Sequence, residues 1–168
     1  LAAAALFSAC ASGPVRPNIT VSDVAFLRLT DLDAQPALLG QAAHENGTGR
    51  VRLVHFFATW CFPCLAETPS LNVLSQKLSG QGLDVVAIGM DLEGETVLAP
   101  FVEMNGLTFP VLIPSDDLRE GRSPFGLIQA LPTTFLFARD GRLAEVWEGP
   151  AEPARLEALV ERLLAEKP

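Results

Sequence analysis

Apolar and polar positions change period several times along this chain, and each change marks an element. Phe26-Leu27-Arg28-Leu29-Thr30 alternates as a short strand does, whereas Asp31 to Arg50, rich in Gly, Asn and Gln, keeps no period and is predicted to be a long connection. In Val51 to Phe57, Val51, Leu53, His55 and Phe57 share one face, and Arg52, Val54 and Phe56 share the other. Both faces are mostly apolar, which predicts an interior strand. From Phe62 to Leu78 the period becomes helical through Leu65, Leu71, Leu74 and Leu78, with a kink expected at Pro69. Leu83 to Met90 is predicted as an apolar strand and Glu95 to Asn105 as a helix, although Pro100 disfavours its first turn. Phe109 to Ile113 and Thr133 to Ala138 are further strands, and Asp140-Gly141 is a hairpin turn from which Arg142 to Trp147 pairs back. Pro153 suits the first turn of a last helix, whose Leu156, Leu159, Val160, Leu163 and Leu164 form one stripe. The order β, β, α, β, α, β, β, α, without an internal repeat, predicts a single α/β domain over residues 18–168.

Composition narrows the function classes. The chain has 168 residues, of which 49% are hydrophobic, enough for one well-cored domain. Twelve Lys and Arg against twenty Asp and Glu leave a net charge of −8, which repels phosphate backbones, so no nucleic-acid partner is expected. Glu93-Gly94-Glu95 and Asp116-Asp117 are short acidic runs whose default is a solvated loop. No run reaches the roughly 18 apolar residues of a transmembrane helix.

The first residues, LAAAALFSAC, are uncharged and end in small residues before Cys10, like the tail of a signal h-region. Ser8 and Ala9 before Cys10, with Leu6 or Phe7 upstream, resemble the bacterial lipobox. That resemblance would make Cys10 the lipidated first residue of a mature chain, with Ala11 to Pro14 beginning a tether within residues 1–17; the alternative is an ordinary exposed Cys. Either way the segment implies export to the cell envelope, on its periplasmic or extracytoplasmic face, where disulfide chemistry is possible.

The chemistry gathers at Trp60-Cys61-Phe62-Pro63-Cys64, where a buried strand ends and a helix begins. Two Cys separated by two residues can close a small disulfide ring. The helix dipole and its free N–H groups favour a thiolate on Cys61, the attacking species, lowering its pKa from about 8.5. Cys64, one turn later and facing inward, suits resolution of a mixed disulfide. Zinc normally needs four ligands, and the remaining candidates are only Cys10, His44 and His55, so no metal is expected. A purely structural disulfide would close too short a loop to stabilise much.

FFATWCFPCLAETPSL resembles the thioredoxin fold, and in particular the exported TlpA/ResA-like thiol–disulfide oxidoreductases. FGLIQALPTTFLFARDGRL resembles the family's cis-proline segment. The resemblance spans about Thr20 to Leu164. It implies a central mixed β-sheet flanked by helices with an N-terminal β extension, and a redox-active disulfide in place of any cofactor. It also implies a cis Pro132 facing the Cys pair, with the Leu131 backbone binding extended substrate beside Trp60, Phe62 and Pro63. Glu67 matches the acid three residues after the family's second Cys; it would reach the inner thiol and move protons, or else be a solvated helix glutamate. Trp60 precedes the motif as in the family and shields the active face, although as a bare residue it could equally be core. His55 departs from the family, where a buried acid or an Asn is usual. Sharing its face with Val51, Leu53 and Phe57, it either relays the Cys64 proton or is a hydrogen-bonded core histidine. His44 is expected to be exposed and idle.

The function expected is that of an exported, lipid-anchored protein thiol–disulfide oxidoreductase, a monomer that reduces protein disulfides and is recharged by a membrane electron donor. The family's client class, implied by resemblance alone, is proteins with Cys pairs in cytochrome c or copper-site maturation. The rivals are a disulfide-donating oxidant and a redox-inert binding module. Pro63 before Cys64 tilts away from the oxidants, which usually carry His there. The peroxidase pattern is missing, and copper-carrier relatives space their Cys by three residues.

Overall fold

The computed structural model describes residues 18–42 and 49–167. The Cys10 region and the tether, together with His44, lie outside these residues. A seven-stranded sheet runs in the order β2-β1-β5-β4-β3-β6-β7. Its centre is β3 (Val51–Phe57), parallel to β4 (Leu83–Gly89) and antiparallel to β6 (Thr133–Phe137). Every residue of β3 and of β4 is buried, as near-continuous apolar runs in a covered sheet should be. β5 (Val111–Pro114) extends the parallel part, and β7 (Leu143–Glu148) returns from β6 through the hairpin turn at Asp140-Gly141.

Helices cover both faces. α3 (Phe62–Leu78) and α6 (Pro153–Ala165) lie on the face of Leu53 and Phe57, where Leu71, Leu74, Leu78, Leu156, Val160 and Leu163 form one core. Lys77 of α3 reaches Glu157 and Glu161 of α6 across its edge. α3 continues through Pro69, and α4 (Glu95–Asn105) continues through Pro100. Val54, Phe56, Val86 and Ile88 face the second core, closed by α1 (Val21–Ala25), Leu118 and Phe125. Leu118 belongs to α5 (Asp116–Arg119), which contains the acidic pair Asp116-Asp117.

The N-terminal β extension is there, but it is a hairpin. β1 (Arg28–Thr30) pairs with β5, and β2 (Pro36–Leu38) adds beyond it, followed by α2 (Leu39–Ala42). The stretch expected to be a long connection therefore contains two elements. Asp31 makes the turn by accepting the N–H groups of Asp33 (2.9 Å) and Gln35 (2.8 Å), with Ala34 left-handed between them. A three-residue strand that begins on Pro leaves no periodicity to detect, and only an edge position tolerates it.

Candidate active site

β3 delivers the chain to the open end of the sheet. Cys61 N–H donates to the Ala58 carbonyl (3.1 Å), closing a tight turn, and Cys61 then caps α3. As the cap, Cys61 Sγ accepts the Cys64 N–H at 3.3 Å, where most helices use a hydroxyl or carboxylate oxygen. Pro63 follows in the first turn, where no N–H is required, and that turn has no acidic residue to oppose a sulfur anion. Cys61 and Cys64 form a disulfide with Cα atoms 5.2 Å apart. Cys61 keeps a small exposed edge, and Cys64 is fully buried.

A groove of about 450 Å³ opens along the exposed edge, with Trp60, Cys61, Phe62 and Pro63 on one wall and Ile128, Gln129, Ala130 and Leu131 on the other. The Leu131–Pro132 peptide is cis, in the segment where the family resemblance puts it. The loop is held by the Thr133 hydroxyl on the Ala130 carbonyl (2.7 Å) and by the Gly149 N–H on the Pro132 carbonyl (2.7 Å). Trp60 is not core: it is 71% exposed, and Phe62 is 80% exposed.

The inner side differs. Strand register sets His55 against Thr134, and His55 Nδ1 pairs with the Thr134 hydroxyl at 2.9 Å. His55 Nε2 is buried without a hydrogen-bond partner, beside a cleft lined by Phe57, Thr68, Leu71 and Phe109 that has no room for water. Burial lowers the His55 pKa from 6.5 to about 4, so the ring is neutral at physiological pH. Glu67 is no solvated glutamate. It is buried, its Oε1 accepts the Ala151 N–H at 3.1 Å, and its Oε2 has no partner. Desolvation raises its pKa, and the Ala151 hydrogen bond opposes that only in part. Among the described residues no hydrogen bond joins His55 or Glu67 to Cys64; the Cys64 carbonyl accepts the Thr68 hydroxyl (2.9 Å). No group of three or more His, Cys, Asp or Glu among them could hold a metal ion.

The AhpC/TSA family profile matches residues 27–146. The thiol–disulfide oxidoreductase ResA of Bacillus thuringiensis is 32% identical over 151 residues, covering 90% of this chain and 78% of that protein. The chain belongs to the TlpA/ResA-like thiol–disulfide oxidoreductases of the AhpC/TSA family. Solved structures agree on the thioredoxin-like fold. A thiol:disulfide interchange protein of Chlorobium tepidum superposes with a TM-score of 0.70 at 23% identity, over 91% of this chain and all of that one. A secreted thiol-disulfide isomerase of Corynebacterium glutamicum gives 0.72 at 19% identity, over 92% of this chain and 96% of that one. The protein is thus a protein thiol–disulfide oxidoreductase with a redox-active disulfide at Cys61 and Cys64.

Several neighbours of the site were not foreseen from sequence. Thr134, Ala151 and Ile128 to Ala130 are brought in by chain returns of dozens of residues. Thr59 and Asp91 carried one weak signal, an acid directly after an apolar strand.

Proposed function

We propose that the protein works as a reductant of protein disulfides on the extracytoplasmic side of a bacterial membrane. The asymmetry of the pair carries the exchange chemistry, with Cys61 at the groove on an N–H donor and Cys64 buried behind it; Pro63, where the oxidants usually carry His, supports the reducing direction. The Cys61 thiolate attacks a substrate disulfide, forming a mixed disulfide and releasing one substrate thiolate. Cys64, deprotonated, attacks Cys61 Sγ, closing the Cys61–Cys64 disulfide and releasing the second substrate thiolate. Two electrons pass to the substrate, and a membrane donor returns two to the pair. Leu131, Pro132, Trp60, Phe62 and Pro63 form the substrate contact.

Glu67 is the better acceptor for the Cys64 proton. It stands one helical turn from Cys64, and burial moves its pKa up toward working pH, where a general base is most effective. The His55 pKa moves down and away, which favours its role as a core residue bonded to Thr134. Clients with Cys pairs, of the kind found in cytochrome c or copper-site maturation, and a lipid anchor on Cys10 complete the proposal. The anchor is tested by Cys10→Ser, which should move the full-length precursor's product from the membrane fraction to the soluble one.

The deciding experiment is the midpoint potential of the Cys61–Cys64 couple in glutathione or dithiothreitol buffers. A value near thioredoxin's, about −270 mV, supports a reductant. A value near about −120 mV makes the protein a disulfide donor, and the absence of a reversible couple makes it an inert binding module.

A further inference from the structure

Two residues beyond β4, Asp91 is 1% exposed. A carboxylate at that depth needs partners, and it finds them on a single residue. Thr59 N–H donates to Asp91 Oδ1 (3.1 Å) and Oδ2 (3.0 Å), and the Thr59 hydroxyl donates to Oδ1 at 2.5 Å. Behind it, the Arg119 guanidinium donates to the carbonyls of Met90 (2.8 Å) and Asp91 (2.9 Å). Arg119 ends α5, whose first turn is capped by Ser115, so the support is anchored in a separate element. Met90 N–H also donates to the Phe57 carbonyl at 2.7 Å, joining the ends of β3 and β4.

Thr59 is the second residue of the turn from Ala58 to Cys61, and Cys61 is the cap whose sulfur accepts the Cys64 N–H. We propose that Asp91 is a positioning residue for the nucleophile: by clamping Thr59 it fixes the turn that holds Cys61 Sγ on the Cys64 N–H, and so sets how much of Cys61 is thiolate. Asp91 makes no hydrogen bond to either sulfur. The titratable and charged groups packed around this region are Asp91 itself, Arg119 on the carbonyls behind it, and Glu67 and His55 on the Cys64 side. Glu93 and Glu95 are exposed.

Position and charge predict opposite signs. A carboxylate acting only as a nearby negative charge would disfavour the thiolate, so its loss would speed reaction. A clamp that seats the sulfur favours the thiolate, so its loss slows reaction. Reduced full-length protein in a Cys64→Ser background, which keeps the residue-64 N–H, is alkylated with iodoacetamide at pH 7. Asp91→Asn is expected to slow Cys61 alkylation by up to about tenfold, the limit that a one-unit rise in thiol pKa reaches when the thiol titrates above the assay pH. Thr59→Val, which leaves all charges in place, slows it about threefold, and Thr59→Ser restores most of that loss. Near pH 10.5, where thiols are ionised, the differences close. In the intact pair both slow variants move the midpoint potential to more negative values, because a less stable thiolate makes the disulfide harder to reduce. Faster alkylation in Asp91→Asn overturns the proposal. So does a Thr59→Val rate equal to wild type alongside a lowered urea midpoint, or a deficit that persists near pH 10.5. Should Asp91→Asn fail to fold, the Thr59 pair decides alone.

Discussion

The two faces of one disulfide are built on different principles. The outer face presents Cys61 between exposed Trp60 and Phe62 and a loop of backbone and mostly apolar side chains, Gln129 being the polar one, with no titratable group lining the groove besides the sulfur. The inner face buries Cys64 against a helix and strand that carry His55 and Glu67, each with one polar atom bonded and one free. Apolar rims and backbone can bind many extended peptides, because they select little beyond shape. Proton handling needs the opposite, a fixed and dry environment that sets a pKa. α3 separates the two tasks by a single turn.

Removing either sulfur breaks the comparison outright. Cys61→Ser abolishes insulin reduction, whereas Cys64→Ser accumulates a mixed disulfide, visible on non-reducing gels and released by dithiothreitol. If Cys61→Ser also trapped substrate, the assignment of outer and inner sulfur would be reversed.

The next effect is on stability. His55 takes up its proton near pH 6.5 when unfolded but only near pH 4 when folded. The unfolded chain therefore binds more protons in that window, and stability falls as pH drops through it, by about 3 kcal/mol in all. His55→Asn removes this slope, read from urea midpoints at several pH values, while leaving turnover within about twofold. Glu67 acts with the opposite sign. Its folded pKa is raised, so it favours the folded state at low pH, and that contribution is lost as pH rises above 4.5. Glu67→Gln should accordingly steepen the acid slope that His55 causes.

In kinetics, Glu67→Gln should slow resolution of the mixed disulfide by about thirtyfold, near 2 kcal/mol, without slowing the first attack by Cys61. Stopped-flow with a chromogenic disulfide separates the two steps, and an equal loss in both would remove Glu67 from proton transfer. The smallest effect belongs to the outer rim. Phe62→Ala is expected to cost about fivefold in kcat/KM for a protein substrate, about 1 kcal/mol, and almost nothing for a small disulfide.

Legibility followed locality. β3, α3 and α4 agree with the expected elements to the residue, because local signals bound each of them: an apolar run for β3, the Cys pair and Pro63 at the start of α3, and Gly94 and Gly106 on either side of α4. The strands at β4, β5, β6 and β7 shift by a residue or two at their ends, where pairing decides the boundary. β1 falls within the strand expected over Phe26 to Thr30, but β2, its hairpin partner, went unread, since an edge strand of three residues carries too little pattern. In the site, the Cys pair and its helix position were plain from spacing, as was the inward face of His55. Whether Glu67 is wet or dry was not, because the group that accepts it into the interior is the Ala151 N–H, 84 residues away.

The helix that starts at the Cys pair, the buried strand that leads to it, and through both the exchange chemistry, follow from local sequence, because these depend on neighbours within one or two turns. The atoms that surround that chemistry come from the folding of distant segments onto one another. That folding set Thr134 against His55, Ala151 on Glu67, Asp91 under Thr59 and residues 128–130 across from Cys61. Those pairings arise from strand register and chain return, and desolvation, which shifts the pKa of both inner groups, exists only once the core has closed over them.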